Sequence, residues 1–136
     1  MLEAEISVFD AQIRHLMKDH GALLKLMKKT AGIADVSSCE ILAELGPDLS
    51  DFLTCEAIAS WAGLCPGNNE SAGKRKSRKR PMRKHHLKTI MIDGGVGCHQ
   101  EKGLLLQKDN YCRLKARRGA KKAIVAIAHR ISAFIM

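Results

Sequence analysis

Residues 29–48 read KTAGIADVSSCEILAELGPD. A helix is expected to end near Lys29 and Gly32 to make a tight turn. Ser37 or Ser38 is expected to cap a second helix, which Gly46-Pro47 stops. Helix, short glycine turn, helix is the layout of a helix-hairpin-helix. There, backbone N–H groups at the turn and at the second helix's N-terminus hold a phosphate. Such hairpins usually carry a second glycine where this chain has Ala34, so an ordinary helical connection competes with that reading. No alternating strand pattern of useful length occurs anywhere, and the chain is expected to be all-α.

Outward on the N-terminal side, Ile6, Phe9, Ile13, Leu16, Leu23 and Met27 recur at steps of three and four that fit an a/d seam, with His20 at one seam position. Residues 1–29 are therefore expected to form a coiled-coil-like helix, suited to homo-oligomer formation or to packing on the domain of residues 30–136. On the C-terminal side, residues 51–64 read as a helix that Thr54 can cap and Gly63 ends, with Trp61 in the core. Pro66, Gly67 and two asparagines then demand turns, and a long basic loop is expected over 65–84. The helical pattern returns after Pro81 and is weakened at Gly94, Gly95 and Gly97. It resumes over 99–117 with Leu104, Leu105 and Leu114 as core candidates. Arg118-Gly119 turns the chain into a last helix over 120–135.

Charge is concentrated. The net charge is +9, and eight of the 23 Lys and Arg residues fall between Lys74 and Lys84 with no acid among them. The remainder, 15 basic against 14 acidic residues, is nearly neutral. A local cluster of this kind is an electrostatic footprint for a polyanion, and the competing reading is a solvated run or a tag. Aromatics make up only 4% of the chain, so base stacking is not expected to be its main tool. The five cysteines have irregular spacing and read as free thiols of a reducing cytosol. Cys98-His99 has no second pair to complete a metal site, and none is expected. The first residues lack the pattern of a signal peptide, and the apolar C-terminus is too short to span a bilayer. No membrane partner is expected, and the chain is assigned to the cytoplasm, near the nucleoid.

ILAELGPDLSDF at 41–52, AIASWAGLCPGNNESAGKRKS at 57–77 and RLKARRGAKKAIVAIAHRI at 113–131 together resemble the C-terminal domain of DEDD-class insertion-sequence transposases, relatives of the Piv invertase. The resemblance implies DNA transposition. It implies Ser71, in SAGK, as a nucleophile that attacks a DNA phosphate and forms a phosphoserine link. Mg²⁺ is expected on Asp-Glu-Asp-Asp in an N-terminal domain, and some relatives use a guide RNA. Gly73, Lys74, Arg75, Lys76, Arg78, Lys79 and Arg80 are the phosphate-contact candidates beside it, with Gly32 at the helical hairpin. Lys acts there as a point charge and Arg as a bidentate donor. No cofactor is expected in this chain, which reads as a truncated copy inactive alone. A basic nucleic-acid-binding remnant without catalysis is the alternative, and an adaptor acting through the seam helix is the third reading. Two departures from the family pattern stand out. His85-His86 replaces a turn, and Asp93-Gly94-Gly95 replaces small helix formers.

Overall fold

The computed structural model describes residues 1–67, 69–77, 85–100 and 105–135. Among them are seven α-helices and one two-stranded hairpin: α1 (Leu2–Leu16), α2 (Gly21–Met27), α3 (Asp35–Leu45), α4 (Cys55–Trp61), β1 (Asn69–Ser71), β2 (Lys74–Ser77), α5 (His86–Gln100), α6 (Leu105–Arg118) and α7 (Ala120–Ile135). The all-α class holds. The small hairpin was not expected, because its residues are polar and carry no alternating apolar signal.

α7 is the centre of the fold. Ala123, Ile127, Ala128, Ile131 and Ile135 recur every three or four residues, and all are buried. That spacing places them on one stripe of a helix. α4, α5 and α6 pack against it, α3 packs on α5, and α2 packs on α3. Ile41, Ile58, Leu87 and Met91 complete the centre of the core. Burying each such side chain contributes about 1.5–3 kcal/mol. The serines Ser38 and Ser132 are buried in this apolar setting, and both are satisfied locally. Ser38 Oγ donates to Asp35 O at 2.8 Å, and Ser132 Oγ donates to His129 O.

Helix ends follow the sequence in part. Gly32 and Gly46 have φ of +83° and +82°, the left-handed region that glycine enters without a Cβ penalty. Thr54 caps α4 as expected, its Oγ1 accepting from Ala57 N–H at 3.2 Å. Thr54→Ala should therefore lower stability by about 1 kcal/mol in denaturant unfolding, and Thr54→Ser should restore most of it. The expected serine cap of α3 is overturned. Ala34, extended at φ −103° and ψ −171°, is the N-cap, and the Ser38 hydroxyl turns back to Asp35 within the helix. Lys28 pairs with Asp35 across the turn, an exposed contact of small energetic weight.

The N-terminal seam is divided. α1 stops at Leu16, a 3-10 turn spans Lys18–His20, and α2 begins at Gly21. Ile6, Phe9, Ile13 and Leu16 are exposed and α1 buries no residue, whereas Met27 is only 1% exposed in the domain core.

α5 runs unbroken through the glycines at 94, 95 and 97. They are where it is crossed most closely. A Cβ on Gly95 would lie 3.0 Å from Ile124 O in α7. A Cβ on Gly94 would lie 3.3 Å from Gly32 O, and one on Gly97 would lie 3.2 Å from Gly32 Cα. Three glycines let one helix approach both α7 and the turn before α3. The lower helix propensity, about 1 kcal/mol per glycine, is the energetic counterpart of that packing. Leu114 packs on the core as expected, joined by Tyr111. Leu104, the Leu105 side chain and the Cys98-His99 side chains lie outside the described residues.

Candidate nucleic-acid interface

The site grows from the end of α4. Ala62 is the C-cap, and Gly63 follows at φ +70°. Gly63 N–H donates to Ser60 O at 3.0 Å and Leu64 N–H to Ala59 O at 2.9 Å. This pair of bonds is a Schellman motif, completed by burial of Leu64. The sequence Trp61-Ala62-Gly63-Leu64 is thus a helix stop with a hydrophobic anchor. Pro66 and Gly67 lead the chain out to the hairpin.

β1 and β2 run antiparallel, with Ser71 opposite Lys74, Glu70 opposite Arg75 and an irregularity next to Asn69. Only Ala72 and Gly73 connect them, at φ +52° and +73°. Two consecutive positive φ values in a two-residue connection are the type I′ pattern, whose twist matches a hairpin. Gly73 adopts it freely. Ala72 does not, and left-handed backbone at a non-glycine residue costs about 1–2 kcal/mol. Strain thus sits beside Ser71.

Ser71, Gly73, Lys74 and Lys76 are all exposed. Directly paired residues present their side chains on one face with Cβ atoms about 5 Å apart, so the Ser71 hydroxyl and the Lys74 ammonium share a face. Among the described residues no side chain hydrogen-bonds to the Ser71 hydroxyl. Arg75 is described through its backbone alone, and Arg78, Lys79 and Arg80 lie outside the described residues. Gly32 sits apart in sequence on the half-buried turn before α3, its backbone against α5.

The chain rejoins the core at His85. His85 O accepts from Lys88 N–H at 3.1 Å and starts α5. Its ring meets Trp61 edge-on at 5.1 Å between centroids and 73° between planes. Its Nδ1 is buried and has no hydrogen-bond partner among the described residues. His86 Nε2 lies 3.5 Å from Glu40 Oε1 of α3. The His85-His86 departure therefore fastens α5 to α3 and α4. Trp61 is corrected from core to surface. It is 48% exposed, held by His85 and by Phe52, whose ring meets it at 6.2 Å and 64°.

A second tie runs from the start of the excursion. Cys65 Sγ lies 3.7 Å from His129 Nε2 of α7. At the other end of α4, a hydrogen bond from its own backbone amide, followed by one from the Cys55 thiol, holds the Glu56 carboxyl below its ordinary range. The same hydrogen bond with Glu56 is the main cause that pushes the Cys55 thiol up. Among the described residues, the cysteines at 39, 55, 65 and 112 are free thiols. Three His, Cys, Asp or Glu side chains nowhere come together there as a metal site. No described helix is long and apolar enough to cross a membrane.

Sequence reasoning missed the hairpin and the Trp61–His85 contact. The turn residues Ala72-Gly73 were the one local signal for the hairpin. Nothing local tells that His85 and Trp61, 24 positions apart, meet.

Neither the curated proteins nor the solved structures searched gave a match. The model of one protein family, the transposase family IS116/IS110/IS902, matches residues 24–102, more than half of the chain. The match takes in the turn at Gly32, the Schellman stop and the whole hairpin excursion, and a transposase family implies DNA as a partner. The chain belongs to the IS116/IS110/IS902 transposase family.

Proposed function

We propose that this domain binds DNA through the basic excursion of residues 65–84 and supplies Ser71 as the nucleophile for strand cleavage and rejoining in transposition. One observation carries the reading: Ser71 stands exposed at the tip of a strained hairpin, directly opposite Lys74. In the proposed step, Ser71 Oγ forms a bond to a backbone phosphorus and one P–O bond of the DNA breaks. The serine proton passes to the departing hydroxyl. Charge gathers on the phosphoryl oxygens, where Lys74 and neighbouring backbone amides can stabilise it. Rejoining reverses the step and frees the serine.

The Mg²⁺ implied by the DEDD resemblance finds no ligand set among the described residues. The role assigned to this chain is therefore the hydroxyl and the phosphate contacts, without a metal step. A guide RNA and self-association through the exposed α1 stripe belong to the same proposal. Gly32 enters as a secondary phosphate contact, although its packing on α5 already accounts for a glycine there.

Salt dependence tests the binding half. The triple variant Lys74→Ala, Arg75→Ala, Lys76→Ala should bind duplex DNA about tenfold or more weakly. Its log–log salt slope should be smaller by about two to three, since each neutralised phosphate contributes about 0.9. Ser71→Ala should bind like wild type. Equal affinity and equal slope for the triple variant would remove the basic excursion from the interface.

A further inference from the structure

We infer that Trp61 is a stacking platform for an unpaired DNA base at the root of the basic excursion; this rests on the DNA-binding reading above. A half-exposed indole is an uncommon use of the chain's single tryptophan. Phe52 and His85 both hold the ring through edge-type contacts. The indole is thus positioned before any ligand arrives. Leu53, next to Phe52 in the chain, is 89% exposed.

The surroundings identify the occupant. The basic excursion leaves the core immediately after Trp61, through the Gly63–Leu64 anchor, and returns at His85, which touches Trp61. Both roots of the most cationic segment of the chain therefore lie beside the same indole. Lys88 adds a further cation, its Cδ 4.0 Å from where a Cβ on Gly63 would stand. An exposed indole at the root of a segment rich in Lys and Arg, with Lys88 close to Gly63, fits a nucleotide, with the base on the ring and a phosphate on a lysine. An acidic peptide would use the charges and leave the indole without a partner. A fully paired duplex hides its base faces, so the occupant is an unpaired base, such as one exposed near a cleaved or opened strand. The transposase family makes DNA the strand concerned.

The single tryptophan makes the test direct, because intrinsic indole fluorescence reports Trp61 alone. The full chain is titrated with an oligothymidylate of about ten nucleotides, with a duplex of equal length and with oligouridylate. Single-stranded DNA should quench the fluorescence saturably and the duplex should quench it less. By anisotropy with labelled DNA, Trp61→Ala should bind the single strand about 5- to 150-fold more weakly, the range for one lost base–aromatic stack. Trp61→Phe should retain most of the affinity. The salt slope should be the same for Trp61→Ala and wild type, which separates lost stacking from lost charge. Circular dichroism melting of each variant checks that the fold persists. Wild-type affinity in Trp61→Ala, or DNA binding without quenching, overturns the inference. If the triple basic variant meanwhile loses binding, the DNA-binding reading survives alone. Tighter binding of oligouridylate than of oligothymidylate overturns the choice of DNA. Absence of any DNA binding by wild type overturns both readings.

Discussion

Leucine in place of Gly95 is expected to lower the stability of the fold by about 3 kcal/mol or more. The reason is the crossing of α5 and α7. A Cβ at Gly95 would stand 3.0 Å from Ile124 O and 3.4 Å from Ala128 N, both backbone atoms that cannot rotate away. Even alanine must push the helices apart by a few tenths of an ångström. Its gain in helix propensity, about 1 kcal/mol, is set against that displacement. Overpacking a close-packed core costs about 1–3 kcal/mol, and a larger branched side chain costs more. Gly95→Ala is therefore expected to lose about 0–2 kcal/mol net. Gly21→Ala is the control. Gly21 is in a helix, and a Cβ there meets nothing within 4 Å, so this variant should be neutral or more stable by up to about 1 kcal/mol. Denaturant unfolding midpoints check all three. A Gly95→Leu midpoint equal to wild type would show that α5 and α7 do not cross as described.

Loss of the Ser71 hydroxyl is expected to abolish covalent DNA capture. Removing an attacking nucleophile typically lowers turnover by about 10⁴-fold or more, because nearby donors cannot replace the bond it forms. Ser71 is exposed at the hairpin tip, and no described contact depends on its hydroxyl, so Ser71→Ala should fold and bind DNA normally. The expected pattern is unchanged affinity with no cleavage or strand transfer, in a reaction reconstituted with the metal-binding domain that the DEDD resemblance implies. That split between binding and turnover distinguishes a residue of the chemical step from a phosphate contact. Residual cleavage at the wild-type rate would assign the chemistry to another residue.

The parts of this fold that depend on local physics were legible in the sequence. Thr54 caps and Gly63 stops α4 through bonds among neighbouring residues, so residue type and spacing suffice. The last helix over 120–135 was legible for the same reason, since one helix carries its whole period. What could not be read depends on a partner element. Gly94, Gly95 and Gly97 look like weak helix residues until α7 and the Gly32 turn are placed against them. Trp61 has helical spacing from Ile58, yet spacing does not tell which side of α4 is left to solvent. The N-terminal stripe reads as continuous through Met27, whereas Lys18–His20 tightens into a 3-10 turn and only the last part reaches the core. The hairpin escaped because its strands are short and polar, held by backbone bonds and a two-residue turn rather than by apolar alternation. Ser71 illustrates both sides. Its place beside a basic run was plain from the sequence, but its position opposite Lys74 on a strained turn required the structure.

The most direct test is to identify the residue that carries the DNA. The reconstituted strand-transfer reaction is stopped by denaturation, the protein is digested, and the nucleotide-linked peptide is mapped by mass spectrometry. The account predicts a phosphodiester on Ser71, present with wild type and missing with Ser71→Ala. A link to any other residue, or the same yield of linked peptide from Ser71→Ala, would contradict it.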